Sequence, residues 1–155
     1  ADEFDCKILV TAQDIEAQFT YGKIPYFCFN YLDYLLLKKE KGSHAKFYFS
    51  YKDSIEHFYP QKPKVGDPLP KQVRDSLGNL GLVNQSENSL LTNDTPIQKA
   101  NWLRKHTKVA ISLKLELMMQ VVEKNESEWN EASIEKHQHD MIELLIEDLN
   151  GKACS

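Results

Sequence analysis

Two short segments decide the fold: SIEHFYPQKP at 54–63 and LGNLGLVNQSENSLL at 77–91. The first belongs to an extended stretch, 53–60, that Pro60 ends. The second opens with an apolar, glycine-punctuated stretch, 77–83, which is typical of a short strand. Ser86 then has the position of a helix cap. This order of strand, loop, strand and helix predicts an α+β fold with a small strand pair embedded among helices.

The sequence on either side of these segments has the spacing of helices. YFCFNYLDYLLLKKE at 26–40 repeats aromatic and leucine residues every three or four positions and ends in lysines before Gly42, which predicts a helix over 25–41. The other predicted elements are a strand at 45–51, a proline-rich loop at 61–72, and helices at 12–20, 96–105, 110–124 and from Asn130 or Ser133 onward.

The composition is that of one globular domain, with 155 residues, 41% of them apolar and 27% charged, and it contains no membrane-spanning run. The formal net charge of −4 argues against a nucleic-acid binder, which usually presents a basic face. The charge is uneven, however, because residues 58–108 are net +4 and residues 109–155 are net −6. The three cysteines fit neither a disulfide framework nor a zinc ribbon, so we expect a cytoplasmic protein.

A group of four polar residues in the two deciding segments has the layout of a ββα-metal nuclease site. Glu56 and His57 are adjacent, Asn79 follows 22 residues after the histidine, and Asn88 lies nine residues further on. Hydrolysis of a phosphodiester needs a water molecule deprotonated near neutral pH, and a neutral imidazole can do this. An asparagine amide can hold the backbone of the histidine-bearing strand by donating and accepting at once.

The same layout supplies ligands for a hard divalent cation. One carboxylate and one amide oxygen, completed by water and phosphate, suit Mg²⁺, which would stabilise the charge on the phosphate and the leaving group. Neighbouring residues of a regular strand point to opposite sides. A strand end or bulge must therefore bring Glu56 and His57 toward one phosphate, which is a condition that the structure can fail.

Simpler interpretations of these residues exist. A single histidine after a strand is usually a surface or satisfied histidine, Asn79 after Gly78 can be a turn residue, and Asn88 can be an ordinary residue of a first helical turn. Each of these interpretations is strong for one residue taken alone, but they are weak as an explanation of all the residues together. His137 and His139, two positions apart on the last predicted helix, face in different directions, so we interpret them as a solvated face rather than as a metal pair.

SIEHFYPQKP, LGNLGLVNQSENSLLTNDTPIQK and the late SEWNEASIEKHQHDMIELL closely resemble the HNH endonuclease domain at the C-terminus of GmrSD-type modification-dependent restriction enzymes. The resemblance runs from about residue 24 to 145 and is most specific over 54–99. Phe58 and Tyr59 replace an apolar pair of the family pattern, and Gly81 stands where threonine is usual. The resemblance implies an HNH (ββα-metal) core embedded among flanking helices, and a metal-dependent DNA endonuclease acting in restriction or phage defence.

The resemblance also implies a role for each site residue. His57 is the general base, Asn79 positions it, and Glu56 and Asn88 hold Mg²⁺, with Mn²⁺ or another divalent ion as substitutes. Lys99 matches a basic position of the family and is expected to contact a phosphate, and the basic stretches around it add two further nucleic-acid contacts. These two are Lys62 and Arg74.

The domain organisation follows from the same comparison. We expect a single HNH-type domain over 1–155, with the core motif at 53–99 and flanking helices at 12–41 and 94–149, as the C-terminal fragment of a larger protein. Double-stranded DNA is the expected substrate, and a ParB-like nucleotidase domain the expected N-terminal partner. Two alternatives stay open: a nucleic-acid-binding or regulatory module with an inactive HNH site, and a structural interaction domain suggested by the acidic C-terminal helices.

Overall fold

A computed structural model of the chain describes residues 11–40, 53–107, 111–124 and 128–153. Seven helices and two strands make up the described part, in an order that confirms the predicted α+β class. The helices are α1 (Ala12–Glu16), α2 (Tyr26–Lys39), α3 (Lys71–Arg74), α4 (Gln85–Leu91), α5 (Pro96–His106), α6 (Leu113–Glu123) and α7 (Glu131–Ala153). The strands are β1 (Asp53–His57) and β2 (Leu80–Asn84).

The two strands pair antiparallel over their full length. Asp53 lies opposite Asn84 and His57 lies opposite Leu80, with no residue left over between these ends. The predicted extended stretch 53–60 is therefore a strand only to His57, and the backbone turns at Phe58. The predicted strand at 45–51 lies outside the described residues.

The stretch 77–83 differs from the prediction at its start. Leu77–Asn79 form a 3₁₀ turn, and the strand begins only at Leu80. Gly78 lets this turn approach α7 closely, since a Cβ at that position would lie 2.2 Å from the carbonyl oxygen of Ile134 on α7. The short helix α3 also lies partly within the predicted loop 61–72. The turn thus depends on close packing against α7, which local sequence does not reveal.

The cap of α4 was predicted two residues too late. Asn84, not Ser86, caps this helix, because its Oδ1 accepts from the backbone nitrogen of Ser86 at 3.0 Å. The cap is also the last residue of β2. No loop therefore separates β2 from α4, and the helix packs back on both strands.

Each face of the strand pair carries its own hydrophobic core. Ile55, Leu80 and Leu82 lie on one face and pack with the cluster formed by α1, α2 and α7. Val83 lies on the other face with a second cluster built from α4, α5 and α6. The strand pair is thus a central partition, which buries polar side chains of β1 on both sides. None of the described helices is long and apolar enough to span a membrane.

Candidate functional site

Glu56 and His57 lie on opposite faces of the strand pair. The register shows no bulge between them, so the alternation of side chains along β1 separates them. Glu56 shares the face of Gly81, its partner on β2, and His57 shares the face of Leu80. The condition set by the sequence, a strand irregularity that turns both toward one point, is not met in this structure.

The His57 ring is held by two residues distant in sequence. Its Nε2 lies 3.0 Å from Oδ1 of Asp75, and its ring lies edge-on to that of Tyr21 with centroids 4.5 Å apart. Only 6% of His57 is exposed, and 44% of Tyr21. Burial lowers the pKa of the imidazole, and the Asp75 carboxylate partly opposes this by favouring the charged ring. The ring is therefore anchored and biased toward the neutral form that accepts protons.

Asp75 is a site residue that the sequence did not reveal. It follows α3 directly, is 4% exposed, and lies 18 residues after His57. The guanidinium of Arg74 binds both of its carboxylate oxygens, from Nε to Oδ1 at 2.8 Å and from Nη2 to Oδ2 at 2.9 Å. These bonds lower the pKa of Asp75, so the carboxylate stays ionised beside His57. No sequence motif indicated this aspartate, because its role depends on where α3 packs.

Asn79 uses its whole amide to join three segments. Its Oδ1 accepts from the backbone nitrogen of Tyr59 at 2.8 Å and from Nε1 of Trp129 at 3.0 Å. Its Nδ2 donates to the carbonyl oxygens of Tyr59 at 3.0 Å and Arg74 at 2.8 Å. The buried amide thus makes all four of its bonds. It bonds the backbone two residues after His57 by donating and accepting at once.

Lys114 supports the turn that carries Asn79. Its ammonium donates to the carbonyl oxygens of Leu77, at 2.9 Å, and of Leu80, which flank Asn79 on either side. The side chain is fully buried, and this burial lowers the pKa of Lys114 to about 7. A buried lysine normally indicates a specific requirement, since desolvating an ammonium is costly. Here the ammonium adds a second donor to the Leu77 carbonyl, which already accepts from the Leu80 nitrogen within the turn, and so ties both ends of the 3₁₀ turn to α6.

Glu56 forms a buried ion pair on the opposite face. Nζ of Lys99 lies 2.6 Å from Oε1 of Glu56 and donates also to the carbonyl oxygen of His57 at 2.6 Å. Burial raises the pKa of Glu56 and lowers that of Lys99, and the pairing opposes both shifts. Lys99 is only 1% exposed. The expected phosphate contact by Lys99 does not fit this position, because its ammonium is enclosed and already bonded.

The other two predicted nucleic-acid contacts differ in their surroundings. Lys62 is exposed in the loop after β1. Arg74 has 23% of its side chain exposed and is bound to Asp75. Arg74 is thus available to an anion only in part, and Lys62 is the freer of the two.

The predicted metal ligand Asn88 lies on α4, the helix that packs on both strands. Leu91 of α4 lies in the hydrophobic cluster on the Glu56 face, and Asn88, half-buried, precedes it by three residues on that helix. A carboxylate and an amide oxygen are donors that suit Mg²⁺. Lys99 occupies one oxygen of Glu56, so an ion there would use the other. Within the described ranges, no group of three or more His, Cys, Asp or Glu side chains could hold a metal ion.

A cavity of about 920 Å³ lies beside the Asn79 network. Tyr59 and Trp129, both bonded to Asn79, contribute to its wall, together with Ile97 of α5. Neither Glu56 nor His57 lines it. The cavity therefore adjoins the partners of Asn79 rather than the histidine itself.

The interpretation of the two late histidines is partly wrong. His139 is exposed, as a solvated face requires, but His137 is buried and lies edge-on to Trp129 with ring centroids 5.9 Å apart. Burial holds the pKa of His137 well below its ordinary value. Their separation on the helix nevertheless keeps them from sharing a metal ion.

A comparison with protein families identifies the family of the chain. A family model described as GmrSD restriction endonucleases, C-terminal domain, matches residues 10–144, which is most of the chain. No curated protein matches the chain, and no solved structure does. On the extent of the family match, the chain belongs to the C-terminal domains of GmrSD restriction endonucleases.

Proposed function

We propose that this domain is a metal-dependent DNA endonuclease of the HNH type, in which His57 deprotonates the attacking water. The supporting observation is the Asn79 network, because a fully bonded buried amide fixes the backbone next to an anchored imidazole. A catalytic base has to be held close to its productive geometry. Family membership supplies the reaction class, and the network supplies residues able to perform it.

In this proposal each residue has one task. His57 accepts the proton of the water, Asn79 holds the strand end, and the exposed Lys62 contacts the DNA backbone beside the site. Glu56 and Asn88 would hold Mg²⁺ or Mn²⁺, an ion that stabilises negative charge on a phosphate. Because Glu56 and His57 lie on opposite faces of the strand pair, the end of β1 would have to turn when DNA binds for both to act on one phosphate. Since Tyr21 is the exposed neighbour of the buried His57, we place the approach of the phosphate on the Tyr21 side.

The biological setting that we propose follows the family. The domain would cut double-stranded DNA in restriction or defence against phage in the cytoplasm. A ParB-like nucleotidase domain or subunit would provide nucleotide dependence and recognition of modified DNA. This division of labour agrees with the charge of the chain, because a net +4 segment within a chain of net −4 gives modest DNA affinity by itself.

Plasmid nicking tests the proposal directly. The chain should nick supercoiled plasmid with Mg²⁺ and not with EDTA, and His57→Ala should abolish nicking while circular dichroism stays unchanged. His139→Ala is the matched control, since that histidine is exposed on α7. Full cleavage by His57→Ala would show that His57 is not the base that deprotonates the water.

The metal is tested separately by Mn²⁺ binding, which needs no cleavage. Asn88→Ala should weaken Mn²⁺ binding by about tenfold or more, as loss of a ligand does. Asn101→Ala changes an exposed asparagine on α5 and should bind as the unmodified chain does. Equal affinity in all three proteins would exclude Asn88 as a ligand.

A second candidate function is a nucleic-acid-binding module with an inactive site. The bond between Lys99 and Glu56 favours it, since a carboxylate paired with a buried ammonium is a poorer metal ligand. Salt-dependent DNA binding without nicking at any Mg²⁺ or Mn²⁺ concentration would support this alternative over the nuclease.

A further inference from the structure

The contact between His57 and Asp75 is buried, long-range and rigidly supported. Nε2 of His57 and Oδ1 of Asp75 lie 3.0 Å apart, and the two side chains are 7% and 6% exposed. The backbone of Asp75 is fixed at both ends, since its nitrogen donates to Lys71 at 2.9 Å and its carbonyl accepts from Tyr21 at 2.7 Å. Together with the Arg74 guanidinium, these bonds leave the carboxylate little freedom to turn away.

The chemistry of this contact restricts the imidazole. An ionised carboxylate only accepts hydrogen bonds, so the ring nitrogen that faces it has to carry the hydrogen. In the neutral ring the other nitrogen, Nδ1, then holds the lone pair. A base that is free to exchange tautomers would present the wrong nitrogen to water part of the time.

We infer that Asp75 is the positioning residue of His57, and that it fixes the imidazole with hydrogen on Nε2 so that Nδ1 accepts the proton from water. The role of Nδ1 rests on the proposed function, whereas the tautomer does not. Arg74 acts through Asp75, because its guanidinium holds the carboxylate in place. Tyr21 limits rotation of the ring from the other side.

A purely structural role is the alternative for Asp75. In that case Asp75 would serve only to stabilise the end of α3 through its bonds to Arg74 and Lys71, and the tautomer of His57 would not depend on it. Asp75→Asn separates the two possibilities because asparagine keeps the size of the side chain but offers both a donor and an acceptor.

Nitrogen-15 NMR of histidine-labelled protein measures the tautomer without any cleavage. At a pH where the ring is neutral, His57, assigned by loss of its signals in His57→Ala, should show a protonated Nε2 and an unprotonated Nδ1. Asp75→Asn should shift His57 to a mixture or to the Nδ1–H form, and Asp75→Glu should restore part of the Nε2–H form. Asp94→Asn is the control, since Asp94 pairs with the exposed Lys64 and not with His57.

Two NMR results would overturn the inference. One is an Nδ1–H tautomer of His57 in the unmodified chain, which is readable even if Asp75→Asn does not fold. The other is an unchanged Nε2–H tautomer in folded Asp75→Asn.

Kinetics distinguish this inference from the proposed function. If the unmodified chain nicks DNA, Asp75→Asn should lower kcat by about 10²-fold or more with little change in KM, as a misaligned base does. Equal kcat would refute the positioning role and leave the nuclease proposal intact. Absence of nicking by the unmodified chain would refute the nuclease proposal, and the NMR result would still decide the tautomer.

Discussion

The two faces of the strand pair each bury a hydrogen-bonded pair of titratable side chains, but the pairs differ in their surroundings. On one face, His57 and Asp75 have Tyr21 and Arg74 as neighbours, both of which reach solvent. On the other, Glu56 and Lys99 are enclosed by the second hydrophobic cluster. The comparison teaches that adjacent residues of one strand can serve different ends, since His57 has neighbours that reach solvent, whereas Glu56 is enclosed and joins β1 to α5.

The largest effect is expected from breaking the enclosed pair. Lys99→Met should lower the free energy of unfolding by about 3–5 kcal/mol, because Glu56 is left buried without its partner. Urea denaturation measures the change. Lys64→Met is the matched control, since the exposed Lys64–Asp94 pair should contribute about 0–1 kcal/mol.

A double variant sharpens that prediction. Glu56→Gln combined with Lys99→Met removes both charges and should recover part of the lost stability. If Lys99→Met alone is as stable as Lys64→Met, the pair on the enclosed face does not hold β1 to α5.

The second prediction concerns the 3₁₀ turn that carries Asn79. Gly78→Ala should destabilise the fold by about 1–3 kcal/mol, because the added Cβ would lie 2.2 Å from the Ile134 carbonyl oxygen and α7 must shift. Thermal unfolding reports it. Gly151 lies on α7 itself and has open space around it, so Gly151→Ala should be neutral or stabilising by up to about 1 kcal/mol. Equal effects of the two changes would contradict the close approach.

The third prediction is a pH dependence that originates at the same turn. The pKa of buried Lys114 is about 7, below its unfolded value of about 10.4, so the unfolded chain binds more protons between these pH values. Stability should therefore rise with pH in this window, by at most about 1.4 kcal/mol per unit, and Lys114→Met should lose that part of the slope. Two other buried groups titrate below this pH window. Burial raises the pKa of Asp33 to about 6 and lowers that of His137 well below its ordinary value.

Urea denaturation between pH 7 and 10 measures this slope. Lys136→Met is the control, since Lys136 is exposed and pairs with Asp140 on the surface of α7. Parallel stability curves for the unmodified chain and Lys114→Met across the window would show that Lys114 is not the source.

The smallest effect is expected at the edge of the Asn79 network. Trp129→Phe keeps the ring in the core but removes the bond from Nε1 to Asn79, and should cost about 0.5–1.5 kcal/mol. Trp102→Phe, a half-buried tryptophan on α5, is the comparison variant. If the two substitutions cost the same, the Trp129 bond adds nothing beyond packing.

The sequence alone predicted the elements whose signals are local. Helical spacing identified α2, α5, α6 and α7, and the order of strand, turn, strand and helix was visible around Glu56, His57 and Asn79. The family assignment also came from these short motifs, and the family match over 10–144 confirms it. Spacing predicts such features because hydrophobic periodicity and turn chemistry act between residues close in the chain.

Tertiary structure decided which charged groups meet. Asp75 reaches His57 only because α3 packs against the turn and α7, and Lys99 reaches Glu56 only because α5 lies on the opposite face. The regular pairing of β1 with β2 also decided that Glu56 and His57 point apart. Residues adjacent in a sequence need not point in the same direction, since side chains alternate between the two faces of a strand. Long-range packing then determines which groups each face contacts.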